Sequence, residues 1–144
     1  MKKYLASLSI IGALFVSSCG NAQNKDENSN SSSTAGVELI NKDVNVAEFE
    51  KLIAEGNGII LDVRTDGEFA EGHLKGATQI DIFSSDFESK IKELDPNIPV
   101  YVYCRSGKRS GKAANSMKGM GFLEVYNLEG GILAWQGSGK PIEK

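Results

Sequence analysis

Two apolar runs without polar alternation limit most strongly how this chain can fold. Ile59-Ile60-Leu61-Asp62-Val63 and Val100-Tyr101-Val102-Tyr103 lack the in–out pattern of a strand with one wet face. Such runs suit strands covered on both faces, as in a sheet held between helices. Helix signals and further short apolar runs alternate around them. Asn45 with Glu48 reads as an N-cap and its answering residue, and Val46, Phe49, Leu52 and Ile53 mark one helical face, stopped by Gly56-Asn57-Gly58. Thr65 with Glu68 opens a second helix. Ser85 with Glu88 opens a third, carrying Phe87, Ile91 and Leu94 and ended by Asp95-Pro96. Ser110 to Met120 is a fourth, stopped by Gly121, and Ile132 to Trp135 a last helical turn. Val37 to Ile40, Ala77 to Ile82 and Glu124 to Leu128 are the remaining strand candidates. Strands alternating with helices predict an α/β fold with a mainly parallel sheet. Sites in such sheets lie at the carboxyl ends of strands. Two ends carry polar chemistry: Asp62-Val63-Arg64 and Tyr103-Cys104-Arg105.

The 144 residues, 40% apolar and 24% charged, fit one domain of ordinary size. A net charge of −3 argues against a nucleic-acid partner, which usually selects a basic excess. Two cysteines, Cys19 and Cys104, are too few for a disulfide framework, and one His with one remaining Cys is too few for a metal site. No metal or cofactor is expected, and a monomer is the expected state.

Targeting signals precede the domain. Lys2 and Lys3 give a positive start, and Leu5 to Val16 is an apolar run of signal-peptide length, too short to span a bilayer as a mature helix. Ser17 and Ser18 lead into Cys19, and the string VSSC resembles the lipobox of bacterial lipoproteins. The resemblance implies a signal peptide over residues 1–18, a lipid on Cys19 and a place in the bacterial cell envelope, on its periplasmic or surface side. Gly20 to Gly36 holds no large apolar residue and reads as a disordered linker, so that 19–36 forms a lipidated tether.

The loop after the fourth strand carries the chemistry. Cys104 stands where an apolar strand ends and a helix is about to begin, followed by Arg105-Ser106-Gly107-Lys108-Arg109-Ser110. Unpaired amides at a helix start favour an anion, and three cations close by add to that. Both effects lower the thiol pKa and supply the thiolate, the nucleophilic form. Ser106, Gly107 and Ser110 let the loop curl into a nest with Cys104 at its centre. An exposed low-pKa thiol of this kind is prone to oxidation.

LDVRT at 61–65, EFAEGHLKGA at 68–77, CRSGKRS at 104–110 and GGILAW at 130–135 together resemble a rhodanese domain. The resemblance covers about Val37 to Lys140 and assigns 37–144 to that domain. It implies a five-stranded, mainly parallel sheet with helices on both faces. It implies a thiosulfate sulfurtransferase-like enzyme in which Cys104 carries a persulfide and Arg105, Ser106, Gly107, Lys108, Arg109 and Ser110 form the substrate loop. The donor would be a small sulfur-containing anion such as thiosulfate, and the acceptor a thiol or cyanide. A non-enzymatic persulfide carrier, or an anion- or partner-binding module of the envelope, would use the same loop. Cys-based phosphatases have five residues between Cys and Arg, usually with His before the Cys. Here four residues separate Cys104 from Arg109 and Tyr103 precedes the Cys, which favours sulfur over phosphate. Lys75 and Asp81 stand where the family often has Pro, and remove no catalytic atom.

The remaining candidates are supporting ones. Asp62 and Arg64 could pair with each other, or Asp62 could orient the Cys104 loop, and loop support is favoured over direct catalysis. His73, the one His, lies in the GHLKGA turn with a structural role implied. Trp135, Tyr101 and Tyr103 are expected to pack in the core.

Overall fold

The computed structural model describes residues 38–144. The signal-peptide and lipobox-like residues, Cys19 and the whole polar tether to residue 36 lie outside the described residues. Ten elements follow in order: β1 (Ile40–Val44), α1 (Val46–Ala54), β2 (Ile59–Asp62), α2 (Asp66–Glu71), β3 (Thr78–Gln79), α3 (Phe87–Lys92), β4 (Val100–Tyr103), α4 (Lys108–Gly119), β5 (Glu124–Leu128) and α5 (Gly131–Gly137). Every strand pair is parallel, in the order β1-β5-β4-β2-β3. This is the α/β fold and five-stranded sheet expected from the sequence, with β4 at its centre.

The central strand shows why its sequence does not alternate. Successive side chains of a strand point to opposite faces. Val100, Val102 and Cys104 enter one core with Phe87 and Ile91 of α3 and Ala113, Ala114 and Met117 of α4. Tyr101 and Tyr103 enter the other with Phe49 of α1 and Ile132 and Trp135 of α5. Both faces are roofed by helices, so every position is apolar. The two tyrosine hydroxyls keep partners: Tyr103 Oη accepts from the Leu74 amide at 3.1 Å, and Tyr101 Oη donates to Asn57 Oδ1 at 2.8 Å.

The helix starts read from the sequence are present at α1 and α2. Asn45 Oδ1 accepts from the Glu48 amide at 3.0 Å, and Thr65 with Glu68 forms a full capping box. Other bounds differ. β1 lies at Ile40–Val44 rather than Val37 to Ile40. It is an edge strand, and of its residues only Val44 is fully buried, so INKDV carries little strand signal. The expected strand Ala77 to Ile82 shrinks to Thr78–Gln79, although Ile80 and Ile82 amides still reach Asp62 and Val63 carbonyls at 2.9 and 3.3 Å. α3 begins after Asp86 without a side-chain cap bond, not at Ser85. α4 begins at Lys108, two residues before the expected Ser110, because Gly107 in a left-handed conformation (φ 87°) takes the N-cap position. Last, α5 runs over Gly131–Gly137, longer than the single turn expected.

Candidate active site

Cys104 ends the central strand, and the chain then turns to enter α4. The loop closes on the sulfur. The Gly107 amide donates to Cys104 Sγ at 3.1 Å. Burial pushes the Cys104 thiol up, but the Ser110 hydroxyl and the backbone N–H groups of Ser110, Ser106 and Gly107 outweigh it and hold the thiol below its ordinary value. The expected nest is therefore real. The expected exposure is not: Cys104 is 0% exposed and belongs to the core formed with Val102, Ala113, Ala114 and Met117. Arg105, Ser106 and Lys108 form the wet outer side of the loop.

The last helix fixes the first half of the loop. Ile132 and Leu133 amides, at the start of α5, donate to the carbonyls of Cys104 and Arg105 at 2.8 and 3.2 Å. Gly131 allows this approach. A Cβ built there would stand 2.3 Å from the Cys104 carbonyl oxygen, and its φ of +59° lies in the left-handed region. The GGILAW motif is thus a clamp on the cysteine loop, with Trp135 5% exposed and its indole N–H bonded to the Pro141 carbonyl at 2.9 Å.

The loop cations are not equivalent. Arg109 gives both terminal nitrogens to Glu68, at 2.7 and 2.6 Å. The sequence reading counts Arg109 as a free positive charge; in the fold Glu68 neutralises much of it. The Arg109 side chain holds the Glu68 carboxyl down at about 2. In turn Arg109 is held above its ordinary value first by Glu68, with Cys104 contributing further. Arg105 and Lys108 have no ion-pair partner among the described residues.

Asp62 and Arg64 do pair with each other, at 2.6 Å, one of the arrangements the sequence offers. Arg64 also donates to the Gly72 carbonyl at 2.7 Å and lies over the Tyr103 ring at 5.7 Å. No hydrogen bond joins either residue to 104–110 among the described residues. The pair braces the strand end beneath the site, for a simple reason: a buried carboxylate and guanidinium satisfy each other before they reach further. His73 is structural, stacked on Phe69 at 3.8 Å between ring centres, its backbone bonded to Glu143 in both directions.

Beside the loop lies a cleft of about 440 Å³, bounded by Arg105, by Ile132 and Leu133 of α5 and by Glu71 and Gly72 at the end of α2. Two site residues escape the sequence reading. Glu68 is read there only as a helix cap, not as the partner of Arg109. Asn127 on β5 is buried and bonds the loop through the Gly107 carbonyl at 3.2 Å. Its signal was a lone amide within an otherwise strand-like EVYNL.

Residues 45–138 match the family model of the Rhodanese-like domain. Over 78 residues the chain is 40% identical to the uncharacterized protein YqhL of Bacillus subtilis; that stretch is 54% of this chain and 60% of YqhL, so this chain spans less than two thirds of that relative. Over 86 residues it is 38% identical to the thiosulfate sulfurtransferase GlpE of Pseudomonas entomophila, covering 59% of this chain and 75% of GlpE. The crystal structure of a rhodanese-related protein from Thermoplasma volcanium shares the fold at a TM-score of 0.63 and 29% identity, over 71% of this chain and 97% of that one. The family match runs through every element from α1 to α5, and the chain belongs to the Rhodanese-like domain family.

Proposed function

We propose that this protein is a sulfurtransferase that carries sulfane sulfur on Cys104. The Cys104 thiolate attacks the outer sulfur of a donor such as thiosulfate. The donor's S–S bond breaks, its electron pair leaves with sulfite, and Cys104 holds a persulfide. A thiolate or cyanide acceptor then attacks the terminal sulfur, and the Cys104 thiolate is released to begin again. The loop amides stabilise negative charge in both states, with Arg105 and Lys108 adding to the field.

One observation carries this reading: Gly107 N–H is aimed at Cys104 Sγ at 3.1 Å, in a ring that lowers the thiol pKa despite its burial. Relatives named sulfurtransferase support it, and so does the loop length, with four residues between Cys104 and Arg109. The cleft beside Arg105 would receive the donor and the acceptor in turn. The deciding experiment is turnover with thiosulfate and cyanide by the purified protein and by Cys104→Ser. Parental turnover by the variant would overturn the proposal. Stoichiometric loading of one sulfur without turnover would favour a carrier.

The same proposal places the domain on a membrane. Lys2, Lys3, the apolar run and VSSC support lipidation at Cys19, which would tether the domain in the bacterial envelope through the polar linker. Mass spectrometry of the protein from a bacterial membrane fraction tests this: the expected result is a chain starting at a lipid-modified Cys19, and an unmodified chain retaining Met1 would exclude it.

A further inference from the structure

Asn127 sits on β5 beside the central strand, 4% exposed, and its two amide hydrogens do different things. Asn127 Nδ2 donates to Asp43 Oδ1 on β1 at 2.7 Å and to the Gly107 carbonyl at 3.2 Å. Its Oδ1 is buried with no partner. A buried amide with an orphaned oxygen is costly, and such exceptions call for a reason. The opposite amide orientation would set Oδ1 against a carboxylate and a carbonyl, so the nitrogen belongs where it is.

The reason lies in the Gly107 carbonyl. It accepts from the Gly111 amide at 3.0 Å, from Ser110 Oγ at 3.2 Å and from Asn127. Ser110 is wholly buried and owns one hydroxyl proton. That proton cannot serve the Gly107 carbonyl and the Cys104 sulfur at once, although the Ser110 hydroxyl is the strongest single group favouring the thiolate. We propose that Asn127 is a positioning residue of the sulfur site: by supplying the Gly107 carbonyl with a donor, it frees the Ser110 hydroxyl proton to turn to Cys104 when the sulfur becomes negative. Asp43 holds the amide in the orientation that makes this possible. The charged groups tied into this arrangement are Asp43 on β1, Arg109 on α4 and its partner Glu68 on α2. Arg105 and Lys108 stand on the wet side of the ring.

This inference rests on Cys104 being the nucleophile proposed above, and the test separates the two. In the full chain, the rate of Cys104 alkylation by iodoacetamide is followed against pH for the parent, N127L, D43A, S110A and S110A/N127L, with a thermal melt for each. N127L is expected to move the midpoint upward by about one pH unit, a roughly tenfold loss of rate on the acid side. D43A is expected to move it less, in the same direction. With Ser110 already replaced, N127L is expected to add no further shift. An unchanged profile in folded N127L overturns the inference, as does an equal shift with and without the Ser110 hydroxyl. If N127L fails to fold, D43A decides: its exposed side chain leaves the core intact, and an unchanged profile overturns the inference. A parent protein whose Cys104 stays unreactive until the ordinary thiol range overturns the nucleophile itself.

Discussion

Glu68 caps a helix with one hand and holds Arg109 with the other. Its Oε2 accepts from the Thr65 amide and hydroxyl at 3.3 and 3.2 Å and from Arg109 Nη1 at 2.7 Å, while Oε1 takes Arg109 Nη2 at 2.6 Å. The first turn of α2 and the first turn of α4 are thereby locked together across the mouth of the cysteine loop.

Breaking that lock gives a stability effect with a defined pH window. Glu68→Gln is expected to cost about 1 kcal/mol at pH 7, as the pair is two-pronged but a quarter exposed at each side chain. The Glu68 carboxyl titrates at about 2 in the fold against an ordinary 4.5. A depressed folded value means the stabilisation is complete above the unfolded value and disappears as pH falls through the folded one. Urea unfolding of parent and variant should show a constant gap from pH 7 to about 5 and a shrinking gap between 4.5 and about 2.

Gly131 tolerates no side chain. Gly131→Ala would drive a methyl into the Cys104 and Arg105 carbonyls, at 2.3 and 2.6 Å, and hold a strained φ of +59°. A loss of about 3 kcal/mol is expected, with sulfur transfer down at least tenfold in what remains folded. Gly137→Ala, on the same helix with open space around it, should change stability by less than about 0.5 kcal/mol. Thermal melts of the two variants compare them directly.

Arg105 is the unpaired cation at the cleft. Arg105→Ala is expected to raise KM for thiosulfate several-fold with little change in kcat, because an exposed charge draws the anion in without touching the reacting bond. The effect should fade in high salt. Initial rates at low and high ionic strength distinguish this from damage to the ring, which salt would not mask.

Cys104 should remain reactive below the pH at which free thiols stop reacting. Its lowered value means that the thiolate persists as pH falls, so the acid limb of sulfur transfer should coincide with the midpoint of iodoacetamide alkylation. Ser110→Ala should move both limbs upward together. Separate movement would place the limiting proton elsewhere.

The parts of this architecture that announce themselves in sequence are those decided locally. Asn45 and Thr65 cap helices by bonds to residues three further on, and β2 and β4 are written as unbroken apolar runs because helices cover both sides. β1 stayed hidden because an edge strand is held by backbone bonds to β5, which leave INKDV free to be polar. The cysteine ring was legible from its spacing and charge. Glu68–Arg109 and Asn127–Gly107 were not, since residues 41 and 20 positions apart meet only once the sheet order is known. For the same reason Arg109 looks like a free cation in the sequence, whereas Asp62 and Arg64, two residues apart, could be read as a pair.

The division of β4 into a bulky side and a slender side reaches further than core filling. Tyr101 and Tyr103 keep α1 and α5 at arm's length, whereas Val100, Val102 and Cys104 meet only Ala113, Ala114 and Met117 from α4, and Gly111 leaves just room for Asn127. Short side chains draw α4 down onto the sheet, and the turn joining them must then be tight. Enlarging Ala113 or Ala114, a helical turn past Ser110, is accordingly expected to push α4 off the sheet and open the sulfur cradle, although neither alanine belongs to the loop.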